Sequence, residues 1–339
     1  MRSIGLVDLQ VNGFAGVDFN DAALTPDAMD AALHAMLRTG VTCCLPTLIT
    51  APEDHLRERL LALDHAVAHS RLGPLMVPGF HLEGPFLNPA PGYAGCHPPA
   101  AMVPPDPALL VRLTRDIRRP VLLLTLAPES EGALVLIEWA AERGIRVAIG
   151  HSAATVEDVT RACDAGLCLS THLGNALPQP QPKFANPLMA QLAEDRLSAS
   201  FIADGIHVPP AALKVFLRAK TMQRSILVTD ATAGAAAPAG RYRFAEMTIE
   251  RREDGSVREP GRPMLAGSAL CLDQAVRNIV TWKLAEPADA VAAASLQPAR
   301  LLAPALDHHG IRPADGAVRW AADLRVIEAR VGGMQITAA

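Results

Sequence analysis

Four residues that can bind a metal or move a proton each follow a short apolar run of the sequence. Glu83 comes directly after the run from Leu75 to Leu82, and His151, His172 and Asp230 follow other such runs. Apolar runs that alternate with helical patterns are typical of parallel strands joined by crossover helices. In a closed barrel of such units, the carboxyl ends of the strands meet at one mouth. The sequence therefore predicts that these four side chains share one site.

Two imidazoles and a carboxylate are a recurring ligand set of zinc hydrolases, and the set leaves one position for water. A second carboxylate beside that water, here Asp230, can accept its proton and pass it to a leaving amine. Each residue alone also has a structural explanation. Glu83 could be a salt-bridged carboxylate, either histidine a satisfied core residue, and Asp230 a turn or helix cap. The combination favours one divalent metal. We expect Zn²⁺, although the set also suits Fe, Co or Mn.

The end of the first predicted strand favours a single metal. Many metal-dependent hydrolases carry His-x-His at this position and use it to hold a second ion. This chain has Gln10 and Asn12 there, and amides are poor ligands for first-row metals.

Composition excludes several other classes of protein. The chain has 339 residues, of which 50% are hydrophobic, 19% charged and 4% aromatic, with a net charge of -4. This balance is typical of a globular protein and argues against nucleic-acid binding. No uninterrupted apolar run reaches the roughly 18 residues of a membrane helix, and the first six residues do not resemble a signal peptide. Six cysteines without a C-x-x-C pair favour reduced thiols and a cytoplasmic location.

The alternation of apolar runs and helical patterns predicts a TIM-like (β/α)8 barrel. The predicted strands are 4–11, 41–49, 75–83, 120–126, 145–150, 167–172, 197–203 and 225–230. The predicted helices are 26–38, 52–69, 106–117, 130–143, 155–165, 209–220, 268–284 and 288–302. We assign residues 4–240 and 262–305 to the barrel. A hairpin pattern at 241–259 and strand-like pieces near the C-terminus predict a small, reduced β appendage formed by residues 241–261 and 312–339.

Seven segments, in order, resemble the N-acetylglucosamine-6-phosphate deacetylase family of the amidohydrolase superfamily. The segments are Gly5 to Gly13, His81 to Pro89, Gly150 to Ser152, Thr171 to Ala176, Ala203 to Val208, Leu227 to Ala231 and Leu265 to Ser268. The resemblance implies that Glu83, His151 and His172 bind the metal and that Asp230 is the catalytic acid and base. The implied substrate contacts are Cys96, His97, Asn175, Ala176, Lys183, His207, Leu265, Ala266 and Gly267.

The activity implied by the resemblance is removal of the acetyl group from an N-acetylated amino sugar, with N-acetylglucosamine-6-phosphate as the expected substrate. Acetate and the amino sugar would be the products. An alternative is hydrolysis of another N-acyl compound: a non-phosphorylated sugar, an N-acyl amino acid or a cyclic amide. A catalytically silent barrel that senses a sugar is a third hypothesis, and it predicts the loss of at least one of the four chemical residues.

The sequence departs from the family pattern in three places. Lys183 stands where the family usually has a phosphate-binding arginine, so it is either a phosphate ligand or a solvated loop residue. The loop from Asn88 to Cys96 is longer than usual, which predicts a different pocket shape. The chain starts almost at the first barrel strand, which predicts a reduced appendage. The resemblance also implies a homodimer, in which the neighbouring subunit can supply the phosphate-binding cation.

Overall fold

The computed structural model describes residues 1–262 and 264–337. Its strands are β1 (Arg2–Ile4), β2 (Leu6–Val11), β3 (Gly13–Phe14), β4 (Val17–Asp18), β5 (Val41–Ile49), β6 (Phe80–Glu83), β7 (Val121–Leu126), β8 (Arg146–Ile149), β9 (Leu167–Ser170), β10 (Ser198–Ile202), β11 (Ser225–Val228), β12 (Gly240–Phe244), β13 (Met247–Arg251), β14 (Val257–Arg258), β15 (Gly316–Trp320), β16 (Val326–Val331) and β17 (Met334–Thr337). Its helices are α1 (Pro26–Arg38), α2 (Glu53–His69), α3 (Gly73–Met76), α4 (Pro107–Thr114), α5 (Ala133–Glu142), α6 (Val156–Ala165), α7 (Pro187–Ala193), α8 (Pro210–Lys220), α9 (Leu272–Thr281), α10 (Pro287–Ala293) and α11 (Leu296–His308).

Eight parallel strands form a nearly closed barrel in the order β2-β5-β6-β7-β8-β9-β10-β11. The first and last of these strands meet at the seam, where the Asp230 amide donates to the Gln10 carbonyl at 2.9 Å and the Asn12 amide to the Ala231 carbonyl at 2.7 Å. Helices connect the strands around the outside. The predicted TIM-like barrel is therefore confirmed.

Local sequence signals explain the elements whose bounds match the prediction. All nine residues of β5 are buried, as expected for a barrel strand covered on both faces. The hydroxyl of Thr25 caps α1 by accepting the Ala28 amide, and Pro26 begins the helix, where its missing N–H costs nothing. Thr155 and Asp158 form a capping box at α6. No helix in the described part of the chain is long and apolar enough to cross a membrane.

Two predicted elements differ from the structure. The predicted strand 75–83 begins only at Phe80, because Gly73–Met76 form a short helix with Pro74 in its first turn. A continuous apolar run cannot by itself distinguish a buried helix from a strand. The predicted helix 288–302 is instead two helices, Pro287–Ala293 and Leu296–His308.

Within residues 1–262 and 264–337, three smaller antiparallel sheets accompany the barrel. Strands β1, β15, β16 and β17 form one sheet, β12 to β14 form a second, and β3 and β4 form a third. The first residues of the chain thus join the C-terminal strands, since β1 pairs with β15. Residues 263, 338 and 339, which belong to the predicted barrel and appendage ranges, lie outside the described residues. The division of the chain into barrel and appendage stays a prediction.

Candidate active site

The four predicted chemical residues lie at the carboxyl ends of barrel strands. Glu83 is the last residue of β6, and His151, His172 and Asp230 each follow the last residue of β8, β9 and β11 by two positions. Their exposed fractions are 2%, 7%, 4% and 9%, respectively. All four line a single cavity of about 510 Å³ at this end of the barrel. The structure therefore brings together the residues that the sequence pattern singled out.

The backbone at three of these strand ends is left-handed. The φ angles are 52° at His151, 30° at His172 and 48° at Asp230. Non-glycine residues seldom adopt this region, at a cost on the order of 1–3 kcal/mol each, and such residues concentrate at functional sites. The recurrence of one costly conformation at three strand ends of the same cavity supports a functional role for this cluster.

The carboxylate of Glu83 is the centre of a histidine cluster. Its Oε1 lies 2.9 Å from His172 Nε2 and 3.5 Å from His151 Nε2, and its Oε2 lies 3.5 Å from His97 Nε2. Burial alone raises the pKa of Glu83, but the three neighbouring histidines, of which His172 lies at hydrogen-bond distance, outweigh it and hold that pKa well below its usual range. Glu83 is therefore an ionised carboxylate surrounded by ring nitrogens.

The hydrogen bonds of His151 and His97 suggest different roles for the two rings: His151 as a metal ligand and His97 as a hydrogen-bond donor to the substrate. His151 Nδ1 donates to the Tyr93 carbonyl at 2.8 Å, so Nε2 of the neutral ring carries a lone pair, and this buried atom has no hydrogen-bond partner. His97 Nδ1 lies 2.9 Å from the Thr50 hydroxyl and 3.4 Å from the Thr50 amide nitrogen; when Nδ1 is the acceptor of these contacts, a neutral ring carries its proton on Nε2. Burial, followed by the charge of His151, lowers the pKa of His97 to about 4. A lone pair facing Glu83 fits a cation, whereas a ring N–H fits an oxygen of a substrate.

The donor set is suitable for a divalent metal. Ligand atoms of Glu83, His97 and His151 all lie within 4.8 Å of one another, and His172 is outside this group although its Nε2 lies nearest to Glu83. Neighbouring ligand atoms of a tetrahedral zinc site are about 3.3 Å apart. The separations of 2.9 Å for His172 and 3.5 Å for His151 from Glu83 Oε1 lie on either side of that value. By distance from Glu83, either His97 or His172 could be the third ligand, and the ligand set of Glu83, His151 and His172 stays a prediction.

Two side-chain amides hold Asp230 in place. Asn12 Nδ2 donates to Asp230 Oδ1 at 2.8 Å, and Gln10 Nε2 donates to the same oxygen at 3.2 Å. The Gln10 amide also donates to Glu83 Oε1 at 3.1 Å. Burial raises the pKa of Asp230 to about 6. This carboxyl group is therefore ionised at neutral pH and able to accept a proton. The sequence identifies Gln10 and Asn12 only as poor metal ligands and carries no signal for the bridge that Gln10 forms between Glu83 and Asp230.

Most of the predicted substrate contacts line the same cavity, namely Cys96, His97, Asn175, Ala176, His207, Leu265 and Gly267. Ala266 faces a neighbouring cavity of about 550 Å³. Lys183 is exposed on the loop before α7 and does not line the cavity formed by its own chain. Arg258 lines the cavity, and no sequence signal pointed to it.

The ring of His207 is fixed by Asp204, which follows the end of β10 by two residues. Its Nδ1 lies 2.6 Å from Asp204 Oδ2, and Asp204 Oδ1 accepts the amides of Ile206 and His207 at 2.8 and 2.9 Å. The ring therefore has one orientation, with Nε2 as the nitrogen left for the cavity.

Comparison with known proteins places this site in a family. No family model matches the sequence. The chain is 36% identical to the N-acetylgalactosamine-6-phosphate deacetylase of Escherichia coli O157:H7 over 297 residues, which cover 87% of the chain and 76% of that protein. It is 31% identical to the N-acetylglucosamine-6-phosphate deacetylase of Danio rerio, over 98% of the chain and 83% of that protein.

The chain belongs to the N-acetylglucosamine-6-phosphate deacetylase family. Solved structures of the family have the same fold. The Mycobacterium smegmatis enzyme, as a mutant in complex with N-acetyl-D-glucosamine-6-phosphate, matches with a TM-score of 0.85 at 29% identity, covering 98% of this chain and 86% of that one. The Pasteurella multocida enzyme matches with a TM-score of 0.84 at 25% identity, covering 99% and 86%. The predicted enzyme class, a hydrolase of a linear amide bond, is confirmed by this membership.

Proposed function

We propose that this chain hydrolyses the acetamide of N-acetylglucosamine-6-phosphate to acetate and the amino sugar phosphate. The observation that carries the proposal is the lone pair of His151 Nε2, buried without a hydrogen-bond partner, beside an ionised glutamate and Asp230 in one cavity. This arrangement provides both a cation site and a base. It argues against a silent barrel, since all four chemical residues are present.

Glu83, His151 and His172 would hold one divalent metal, which we propose is Zn²⁺. The metal would supply a lowered pKa for a coordinated water and polarisation of the amide carbonyl. The protein residues around it hold these ligands in fixed orientations. The Tyr93 carbonyl fixes the tautomer of His151, and the Gln10 amide restrains Glu83. Such outer hydrogen bonds orient ligands and tune their basicity.

Asp230 is the proposed proton carrier. Its carboxylate takes a proton from the attacking water and delivers it to the nitrogen of the departing amine. His97 Nε2–H donates to the amide carbonyl oxygen as negative charge develops there, a contact typically worth about 2.7–4 kcal/mol for one such donor. His207, Asn175 and Ala176, which line the same cavity, bind the sugar.

The test is acetate release from N-acetylglucosamine-6-phosphate and from unphosphorylated N-acetylglucosamine, on protein whose bound metals are measured by mass spectrometry. We expect about one metal per chain and faster turnover of the phosphorylated sugar. Bound metal with no acetate released from either sugar would contradict the proposed substrate and favour another N-acyl compound.

A second candidate substrate is the galactose epimer. A relative at 36% identity is named N-acetylgalactosamine-6-phosphate deacetylase, and the two sugars differ only at one hydroxyl. The same acetate assay with N-acetylgalactosamine-6-phosphate separates the two. A higher kcat/KM for the galactose epimer would assign that sugar as the substrate.

We further propose that the active form is a cytoplasmic homodimer. The six cysteines are free, which fits a reducing compartment. Phe184 is 78% exposed and adjoins Lys183 on the loop before α7. An exposed aromatic residue at this position is suited to an interface with a second copy.

A further inference from the structure

The loop lysine that replaces the usual phosphate-binding arginine is poorly placed in a single chain. Lys183 is exposed and does not line the cavity that holds Glu83 and Asp230. A phosphate on a sugar bound in this cavity would therefore need another cation of the same chain, or Lys183 of a second copy.

Arg258 is an arginine of the same chain that does line this cavity. It ends β14, whose pairing with β13 sets Arg258 opposite Glu250 and Val257 opposite Arg251. An isolated bridge to Leu265 fixes the other side of Arg258, and Leu265 lines the cavity as well. Backbone pairing on both sides thus holds Arg258 at the cavity wall.

The hairpin that carries Arg258 packs beside the loop that carries His207. A Cβ atom built on Gly255, in the turn between β13 and β14, would lie 3.8 Å from Ile206 Cδ1. Ile206 and His207 both line the cavity, and Asp204 holds the ring of His207 by Nδ1. The hairpin and the loop therefore bring Arg258 and His207 to neighbouring parts of the cavity lining.

Two carboxylates beside Arg258, one opposite it in the sheet and one next to it in the chain, form ion pairs with other arginines. Glu250 Oε2 lies 3.3 Å from Arg252 Nε, and Glu259 Oε2 lies 3.2 Å from Arg262 Nε.

We propose that Arg258 binds the substrate phosphate together with His207, so that one chain carries its own phosphate-specificity residue. This inference rests on the proposed function. A guanidinium group matches two phosphate oxygens with a rigid pair of donors, whereas a lysine offers a point charge. Arg258 takes the role that the sequence pattern would otherwise give to Lys183.

The experiment compares kcat/KM for N-acetylglucosamine-6-phosphate and for unphosphorylated N-acetylglucosamine in Arg258→Gln, Arg258→Lys and Lys183→Gln. The matched control is Arg241→Gln, which removes an exposed arginine of β12 in the same three-stranded sheet that does not line the cavity. We expect Arg258→Gln to lower the phosphorylated-to-unphosphorylated ratio roughly 10- to 100-fold, mainly through KM, as expected for loss of charge-assisted hydrogen bonds. Arg258→Lys should retain part of the selectivity, and the control should retain all of it.

An unchanged ratio in Arg258→Gln, with native circular dichroism and metal content, would overturn the inference. A comparable fall of the ratio in Lys183→Gln alone would overturn it in favour of the loop lysine. If the unmodified enzyme releases acetate from neither sugar, the proposed function fails, and calorimetric titration with N-acetylglucosamine-6-phosphate still tests the subsite. Weaker binding in Arg258→Gln than in Arg241→Gln would then support it, and equal binding would contradict it.

Discussion

The side-chain amide of Gln10 fixes the relative positions of two carboxylates. Its Nε2 lies 3.1 Å from Glu83 Oε1 and 3.2 Å from Asp230 Oδ1. We expect Gln10→Leu to lower kcat about 10- to 100-fold with a smaller change in KM, since hydrogen bonds to charged groups contribute about 1.5–3 kcal/mol each. Steady-state kinetics on protein of known metal content measures this effect.

Gln191→Leu is the matched control for that substitution. Gln191 is also a buried glutamine, and its amide donates to the Pro187 carbonyl within α7. Its loss should change stability and leave kcat within about twofold. Equal kinetic effects of the two substitutions would show that Gln10 acts only through general stability.

The substitution Asp230→Asn tests whether Asp230 transfers protons or binds the metal. We expect kcat to fall about 100- to 10,000-fold, the usual contribution of a general acid or base. Asparagine keeps the size of the side chain, and Asp230 is outside the proposed ligand set, so bound metal should stay near the unmodified level. Loss of metal from this variant, measured by mass spectrometry, would instead identify Asp230 as a ligand.

At the residue scale, the sequence predicted which chemical groups converge but not how they are held. Glu83, His151, His172 and Asp230 were recognisable because each follows an apolar run. The bridging by Gln10 and the tautomer of His97 depend on contacts between residues far apart in the chain, such as the Thr50 amide at 3.4 Å from His97 Nδ1. Local sequence carries no signal for such contacts. The individual roles of the site residues remain predictions for the experiments above.

At the scale of elements, a buried carboxylate connects the two strands that close the barrel. Asp8 of β2 is 0% exposed, and its two oxygens accept the amide of Thr229 at 3.1 Å and the hydroxyl of Thr229 at 2.6 Å. Thr229 directly follows β11. This side-chain contact therefore reinforces the seam of the barrel.

Because Asp8 is buried at the seam, the free energy of unfolding should depend on pH. Burial raises the pKa of Asp8 from 3.8 to about 7, against the opposing hydrogen bonds from Thr229. A carboxyl group whose pKa is raised in the folded state contributes stability that is fully present below pH 3.8 and is lost as the pH rises through about 7. We expect the free energy of unfolding of the unmodified protein to decline between pH 4.5 and 7.5 relative to Asp8→Asn, by on the order of a few kcal/mol. Urea unfolding at both pH values measures this, and parallel curves for the two proteins would contradict it.

Elements with strong local signals were predictable, whereas short ones were not. Helix α1 and strand β5 have the predicted bounds, because a proline-started, capped helix and a long apolar run are unambiguous. Strand β14 has only two residues, too few for any periodicity, and so the position of Arg258 in the cavity wall could not be foreseen. Helix α3 lies within an apolar run of the sequence. Buried helices and buried strands are both apolar, so the run alone could not distinguish one from the other.

At the scale of the whole molecule, the alternation of strands and helices was sufficient to predict the barrel but not the additional sheets. The pairing of β1 with β15 joins the two ends of the chain, with Ser3 opposite Val318. Nothing in the sequence around residues 2–4 indicates so distant a partner. Contacts within one β/α unit follow from local pattern, whereas contacts between the ends require the folded chain.

The protein is expected to form a homodimer in solution. We expect light scattering to give a mass twice the 35.9 kDa of one chain, and Phe184→Asp to shift the protein toward the monomer, because a charge at a buried interface position is costly. Val135→Asp is the control, since Val135 is a similarly exposed apolar residue, 62% against 78% for Phe184, on α5. If Arg258 binds the phosphate within one chain, the monomeric Phe184→Asp variant should keep its preference for the phosphorylated sugar. A monomer that loses this preference would show that a second copy completes the site, and a monomeric unmodified protein would contradict the dimer itself.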